Sequence, residues 1–188
     1  MSGTSPKGSH SPGWASRRVR VERGGVARVL TRAAAVTLVQ TLRDAGRTVV
    51  FTNGVFDLLH PGHVRYLQSA RALGDALIVG LNADASVQRN KGPGRPINPE
   101  HERAEVLAGL ESVDAVVLFD DDTPAEIIES LQPDVLVKGA DWPADQIVGR
   151  ETVEARGGRV VRVTVEQGHS TSALVQKVRS LGPAASDP

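Results

Sequence analysis

Two histidines, His60 and His63, stand three positions apart with Pro61 and Gly62 between them, and Asp57 lies just upstream. Proline suits the first turn of a helix. A helix mouth presents unpaired N–H groups and a positive partial charge that favour phosphate oxygens. Gly62 lets a phosphate come close to the backbone. Two imidazoles one turn apart at such a mouth can donate hydrogen bonds to one phosphate chain and stabilise the charge that grows during phosphoryl chemistry. That casts His60 and His63 as electrophilic groups, not nucleophiles. The same spacing also fits a plain surface loop or half of a metal site. Asp57 and His101 could extend the latter, since catalytic zinc usually takes three protein ligands, but nothing in their spacing requires it.

The standard glycine-rich phosphate loops are missing: neither G-x-G-x-x-G nor G-x-x-x-x-G-K-[ST] occurs. There is no cysteine, which removes thiolate nucleophiles, disulfides and cysteine-type zinc sites.

The elements that must position the histidines follow from periodicity. Residues 31–45 predict an amphipathic helix capped by Thr31 and stopped by Gly46. TVVFTN (48–53) is a buried strand, and the helix opening at Pro61 or Gly62 runs to Gly74. The alternation continues with a strand at 76–81 and a helix at 99–111, with Asn98 as N-cap and Pro99 first. A strand at 115–119 follows. A capping box at Thr123-Pro124-Ala125-Glu126 opens a helix to Leu131. A strand at 135–138, a helix ending at Gly157, a strand at 160–165 and a helix at 170–180 complete the series. Five apolar strands alternating with helices predict an α/β fold, a doubly wound Rossmann-like parallel five-stranded sheet. Ligands in such sheets bind beyond the carboxyl ends of the strands, which is where His60 and His63 fall.

With 188 residues and 40% apolar side chains, the chain suits one domain with tails. Basic and acidic residues balance at 22 each, so no global charge draws it to nucleic acid or membrane. No apolar run is long enough for a membrane span and the first residues lack a secretory core, giving a cytoplasmic expectation. Residues 1–27, rich in Ser, Gly and Pro with Arg17, Arg18, Arg20 and Arg23, read as a disordered basic extension, and 182–188 as a flexible tail around the domain at 28–181.

GVFDLLHPGH, followed by VRYLQSARALGD and LIVGLNAD, resembles the nucleotidyltransferase superfamily with the HxGH signature, to which cytidylyltransferases belong. Within it, RNKGPGRPINPEHERAEVL, PDVLVKGADW and GHSTSALV are most similar to the branch that adenylylates a heptose 1-phosphate; the likeness spans about residues 28–181. It implies the HxGH nucleotidyltransferase fold and transfer of AMP from ATP, with Mg²⁺ on the ATP phosphates, to a sugar 1-phosphate, giving ADP-heptose and pyrophosphate. The protein would be a homodimer that needs neither nucleic acid nor membrane.

By the same resemblance His60, His63 and Lys91 are catalytic, Lys91 lying in a mobile loop. Thr52, Asn53, Gly54, Phe56, Asp57, Gly62, Lys138, Gly139, Asp141, Ser170, Thr171 and Ser172 would bind nucleotide. Asn82, Asp84, Arg95 and Arg103 would bind the sugar phosphate, although Asn82 and Asp84 could equally cap the following turn. No resident metal site is implied. His169 departs from the small residue found in relatives, and the segment before residue 28 is too short for the kinase domain that many relatives carry. A cytidylyl- or guanylyltransferase acting on another phosphorylated acceptor is the alternative, with an RNA-binding module behind it; only six aromatic residues are available for stacking.

Overall fold

A computed structural model describes residues 29–164 and 171–181. The basic N-terminal extension, Ser170, His169 and the C-terminal tail lie outside the described residues.

The elements run β1 (Val29–Leu30), α1 (Arg32–Asp44), β2 (Val49–Gly54), α2 (Pro61–Arg71), β3 (Ala76–Asn82), α3 (Asp84–Lys91), α4 (Glu100–Ala108), β4 (Ala115–Phe119), α5 (Ala125–Leu131), β5 (Val135–Gly139), α6 (Arg150–Glu154), β6 (Arg159–Val163) and α7 (Thr171–Ser180). All strand pairs are parallel, in the order β1-β4-β3-β2-β5-β6. The expected doubly wound α/β sheet is present, with six strands instead of five. The added strand, β1, is two residues long and pairs Val29 with Val116 at the sheet edge. A segment that short shows no periodicity to read.

Strand side chains alternate between two cores. Val49 and Phe51 of β2, Ile78 of β3 and Val117 of β4 pack with Ala35, Val39 and Leu42 of α1 and Ile127, Ile128 and Leu131 of α5. Val50, Leu77, Val79 and Val116 face the other way, onto Leu67 and Ala70 of α2 and Ala104 and Leu107 of α4. Both sheet faces are therefore covered, and the strands need no polar positions. Thr31 caps α1 by accepting from Ala34 N–H at 3.2 Å.

Three local expectations are corrected. Helix α4 begins at Glu100 with Pro99 as N-cap, not Asn98; the Asn98 N–H and side-chain amide are instead held by Asp57. The Thr123 capping box does not form: Pro124 is the N-cap and α5 has no side-chain cap. Lys91 is the last residue of the helix α3, whose weak polar periodicity hid it, and Gly92 follows at φ +85°.

Strand order changes direction at β2. From there the chain moves out to β3 and β4 on one side, and to β5 and β6 on the other. The carboxyl ends of β2, β3 and β5 converge beside the start of α2, at the switch point where such sheets bind ligands.

Candidate active site

A cavity of about 540 Å³ opens at this edge, lined by residues of β2 and its loop, α2, the end of β3, the α3 terminus, the β5 end and the start of α7. Among the nucleotide-binding and catalytic residues expected from sequence, it brings together Asn53, Gly54, Phe56, Asp57, His60, Gly62, His63, Lys91, Lys138, Gly139, Asp141, Thr171 and Ser172. Of the expected sugar-phosphate residues, Asn82 and Arg95 line it.

His60 is the N-cap of α2 in extended conformation, followed by Pro61 at the first helical position. Pro61 has no N–H, and the N–H groups of His63 and Val64 both return to the His60 carbonyl, at 2.9 and 3.3 Å. This leaves the N–H of Gly62 as the first-turn donor nearest the cavity. The two imidazoles stack with ring centroids 3.7 Å apart and planes at 19°. Phe56 meets His63 edge-on at 5.2 Å. Burial, and secondarily the neighbouring His60, lower the His63 pKa to about 4, so the ring is neutral at physiological pH.

The position of Phe56 is costly for the backbone: its φ of 45° is in the left-handed region. A side chain on Gly54 would reach the Phe56 ring at 3.0 Å. The small residue at 54 and the twisted residue at 56 together seat the ring that supports His63.

Asp57 is an organiser. Its Oδ1 accepts from the N–H groups of Ile97 and Asn98, at 2.8 and 3.1 Å, and its Oδ2 lies 3.0 Å from Arg95. These contacts hold the segment after α3 against the β2 loop and bring Arg95 to the cavity wall.

Thr52, Asp84 and Arg103 are not brought to the cavity surface. The Thr52 hydroxyl donates to the Val137 carbonyl at 3.0 Å and meets the Tyr66 hydroxyl at 2.7 Å. Arg103 is buried, and its guanidinium donates to the carbonyls of Asn98, Val55 and Asn82 and to Asp84 Oδ1. Asp84 and Glu100 exchange backbone caps between α3 and α4, at 2.7 and 3.2 Å. Arg103 thus joins three chain segments behind the cavity, a positioning role that its place on a charged helix did not reveal.

Val55, Tyr66 and Trp142 also line the cavity and were not singled out from sequence. Tyr66 follows His63 by one helical turn on the same face, a signal that could have found it. Burial, and secondarily the Asp141 charge, raise the Tyr66 phenol to about 12. Trp142 is half exposed at the rim.

A second hollow of about 600 Å³ beside α6 is lined by Asp145, Glu151 and Glu154 with Arg150, which is paired to Glu154 at 3.0 Å. Its predominantly acidic lining does not suit phosphate chemistry.

Residues 51–178 match the cytidylyltransferase-like family, and the chain belongs to it. Its relatives include the bifunctional protein HldE of Citrifermentans bemidjiense, 60% identical over 135 residues that cover 72% of this chain and 28% of that protein. HldE of Geotalea uraniireducens is 53% identical over 154 residues, covering 82% of this chain and 31% of that one. The chain therefore spans about three tenths of the length of these relatives. The crystal structure of the lipopolysaccharide core biosynthesis protein from Thermoplasma volcanium is 31% identical with a TM-score of 0.56, covering 65% of this chain and all of that one. No helix among the described residues is long and apolar enough to cross a membrane.

Proposed function

We propose that the protein transfers AMP from ATP to a D-glycero-D-manno-heptose 1-phosphate, forming ADP-heptose and releasing pyrophosphate. The observation that carries this reading is the stacked histidine pair at the mouth of α2, with His63 neutral, inside a cavity that also receives Lys91, Arg95 and Lys138. The motifs shared with heptose 1-phosphate adenylyltransferases support the acceptor, as does the naming of a structural relative for lipopolysaccharide core biosynthesis.

The acceptor phosphate is already anionic at neutral pH and needs no strong base. One of its oxygens attacks the α-phosphorus, the new P–O bond forms, and the bond to the bridging oxygen breaks with its electron pair leaving on pyrophosphate. The protein's task is to align these groups and neutralise charge. His60, His63 and the Gly62 N–H face the triphosphate, Lys91 and Arg95 approach from the β3 side, and Asn53, Gly54 and Phe56 border the nucleotide. Thr171 and Ser172 close the opposite wall.

The donor set fits a metal that arrives on the nucleotide. Asp57 is committed to Arg95 and two N–H groups, and no cluster of three His, Asp or Glu occurs among the described residues. Asp141 is the carboxylate left to face such an ion. Mg²⁺ would there supply further neutralisation of the triphosphate charge. A homodimer and a cytoplasmic location belong to the same proposal; sedimentation analysis tests the first.

The deciding experiment incubates the protein with ATP, CTP, GTP or UTP and a panel of sugar phosphates, heptose 1-phosphates of both anomers included, and measures pyrophosphate. Release with ATP and a heptose 1-phosphate is expected. Release with CTP or GTP alone would replace adenylyl by cytidylyl or guanylyl transfer, and release with no pair would sink the reading.

A further inference from the structure

Tyr66, the single tyrosine of the chain, lines the cavity one turn along α2 from His63. Its hydroxyl meets that of Thr52 at 2.7 Å, and the Thr52 hydroxyl in turn reaches the Val137 carbonyl at 3.0 Å. The ladder between β2 and β5 stops at the pair Phe51 and Leu136, so Thr52 supplies by side chain a link one position further on. A carbonyl can only accept. The one proton of the Thr52 hydroxyl therefore goes to Val137, and the contact between the two hydroxyl oxygens is made by the Tyr66 proton: the phenol donates and Thr52 accepts. Burial, joined by the Asp141 charge and opposed by the Thr52 contact, pushes the phenol up to about 12, so that proton is present at physiological pH. Thr52 and Val137 immediately precede Asn53 and Lys138, which line the cavity. The tip of Tyr66 thus sits at the carboxyl edge of β2 and β5, where the cavity begins.

We propose that the Tyr66 phenol oxygen accepts a hydrogen bond from a sugar hydroxyl of a substrate, with Thr52 behind it fixing the direction of the phenol proton. A phenol free to turn could donate to a phosphoryl oxygen or accept from a hydroxyl. With its proton committed to Thr52, what it offers the cavity is lone-pair density, which a phosphoryl oxygen, having no proton, cannot satisfy. A sugar hydroxyl can. Both substrates of nucleotidyl transfer carry such hydroxyls, on the ribose of ATP and on the acceptor sugar. The inference rests on that reading for the identity of the ligands; the direction of the proton does not depend on it. Thr52, expected from sequence to touch nucleotide, is in this arrangement a positioning residue that acts through Tyr66.

Tyr66→Phe keeps the ring and removes the oxygen. Calorimetry of the full chain, wild type and variant, uses an ATP analogue with an imido β,γ bridge, its 2′-deoxy and 3′-deoxy forms, a sugar 1-phosphate, and inorganic pyrophosphate as an anion without a sugar. The variant is expected to bind the analogue or the sugar phosphate about three- to tenfold more weakly, the scale of one neutral hydrogen bond, and to bind pyrophosphate as wild type does. A ribose partner shows itself when one deoxy form costs wild type that same factor and costs the variant nothing; a loss confined to the sugar 1-phosphate assigns the acceptor. Because the chain has one tyrosine, a carbon-13 label at its Cζ gives a single resonance in wild type, which the ligand so identified should move and pyrophosphate should not. Unchanged affinities throughout, an equal loss for pyrophosphate, or a loss on the analogue that neither deoxy form reduces would overturn the proposal. A variant that fails to fold leaves the wild-type resonance to decide, and a resonance unmoved by both the analogue and the sugar phosphate would likewise overturn it. A wild type that binds these ligands yet releases no pyrophosphate from any nucleotide would sink AMP transfer and leave this test standing.

Discussion

The imidazole of His63 lies face to face with that of His60, centroids 3.7 Å apart, and makes an edge-type contact with Phe56 at 5.2 Å. Two imidazolium ions would repel at this distance, and burial penalises a charge on His63 further. His63 is therefore the neutral member of the stack.

Stability should record this. His63 has a pKa of about 4 when folded and near 6.5 otherwise. Above about 6.5 the ring is neutral in both states. Between that value and about 4 the unfolded chain takes a proton that the folded chain refuses, so stability falls as pH falls through this window and levels off below it. Thermal unfolding from pH 7 to 4 should show the decline, and His63→Gln should flatten it. An equal slope in the variant would contradict a neutral His63.

Nucleotide binding should reverse the proton's preference. A triphosphate beside His63 favours its charged form and raises its pKa, so binding near pH 5.5 should take up a fraction of a proton. Calorimetry of the imido ATP analogue in two buffers of different ionisation enthalpy reads this directly. Zero uptake, with normal binding, would place the phosphates away from His63.

Turnover should depend on the same ring. His63→Ala is expected to lower kcat by about two to four orders of magnitude, the scale for removing a preorganised donor, with circular dichroism unchanged. Near-normal turnover in a folded variant would remove His63 from the catalytic set.

Arg103 should behave otherwise. Its guanidinium serves three carbonyls and Asp84 from a fully buried position. Arg103→Met is expected to cost about 3 kcal/mol or more in urea unfolding, since it leaves those acceptors without their donor. A variant with unchanged stability and a raised KM for the sugar phosphate would return Arg103 to the substrate site.

What could be read from the sequence divides along physical lines. The strands β2 to β5 are short, mainly apolar runs because both faces of a parallel sheet are covered, and that burial is written in composition. His60, Pro61, Gly62 and His63 announce a helix mouth because each residue type has a local reason to be there. Arg103 and Asp84 could not be resolved in this way. A charged side chain on a helix reads the same whether it faces solvent or clamps three carbonyls, and its partners here come from as far as Val55, 48 positions away. Helix α3 was hidden for a related reason: it is short and polar, with only Ser86 and Val87 buried, so tertiary caps such as the Asp84–Glu100 exchange hold what periodicity does not show.

The place of β2 in the sheet has a consequence for the chain while it is being made. Once residues through Phe119 have emerged, β2 can pair with β3, and β3 with β4. The far edge of β2 is then a bare row of backbone donors and acceptors, of the kind that templates aggregation. Its cover, β5, brings Lys138 to Asn53 from 85 positions further on. The nascent half-sheet is thus both sticky and unable to complete the cavity at the mouth of α2, and one docking event ends both conditions. A substrate can accordingly protect the finished protein from unfolding, but it cannot shield the growing chain.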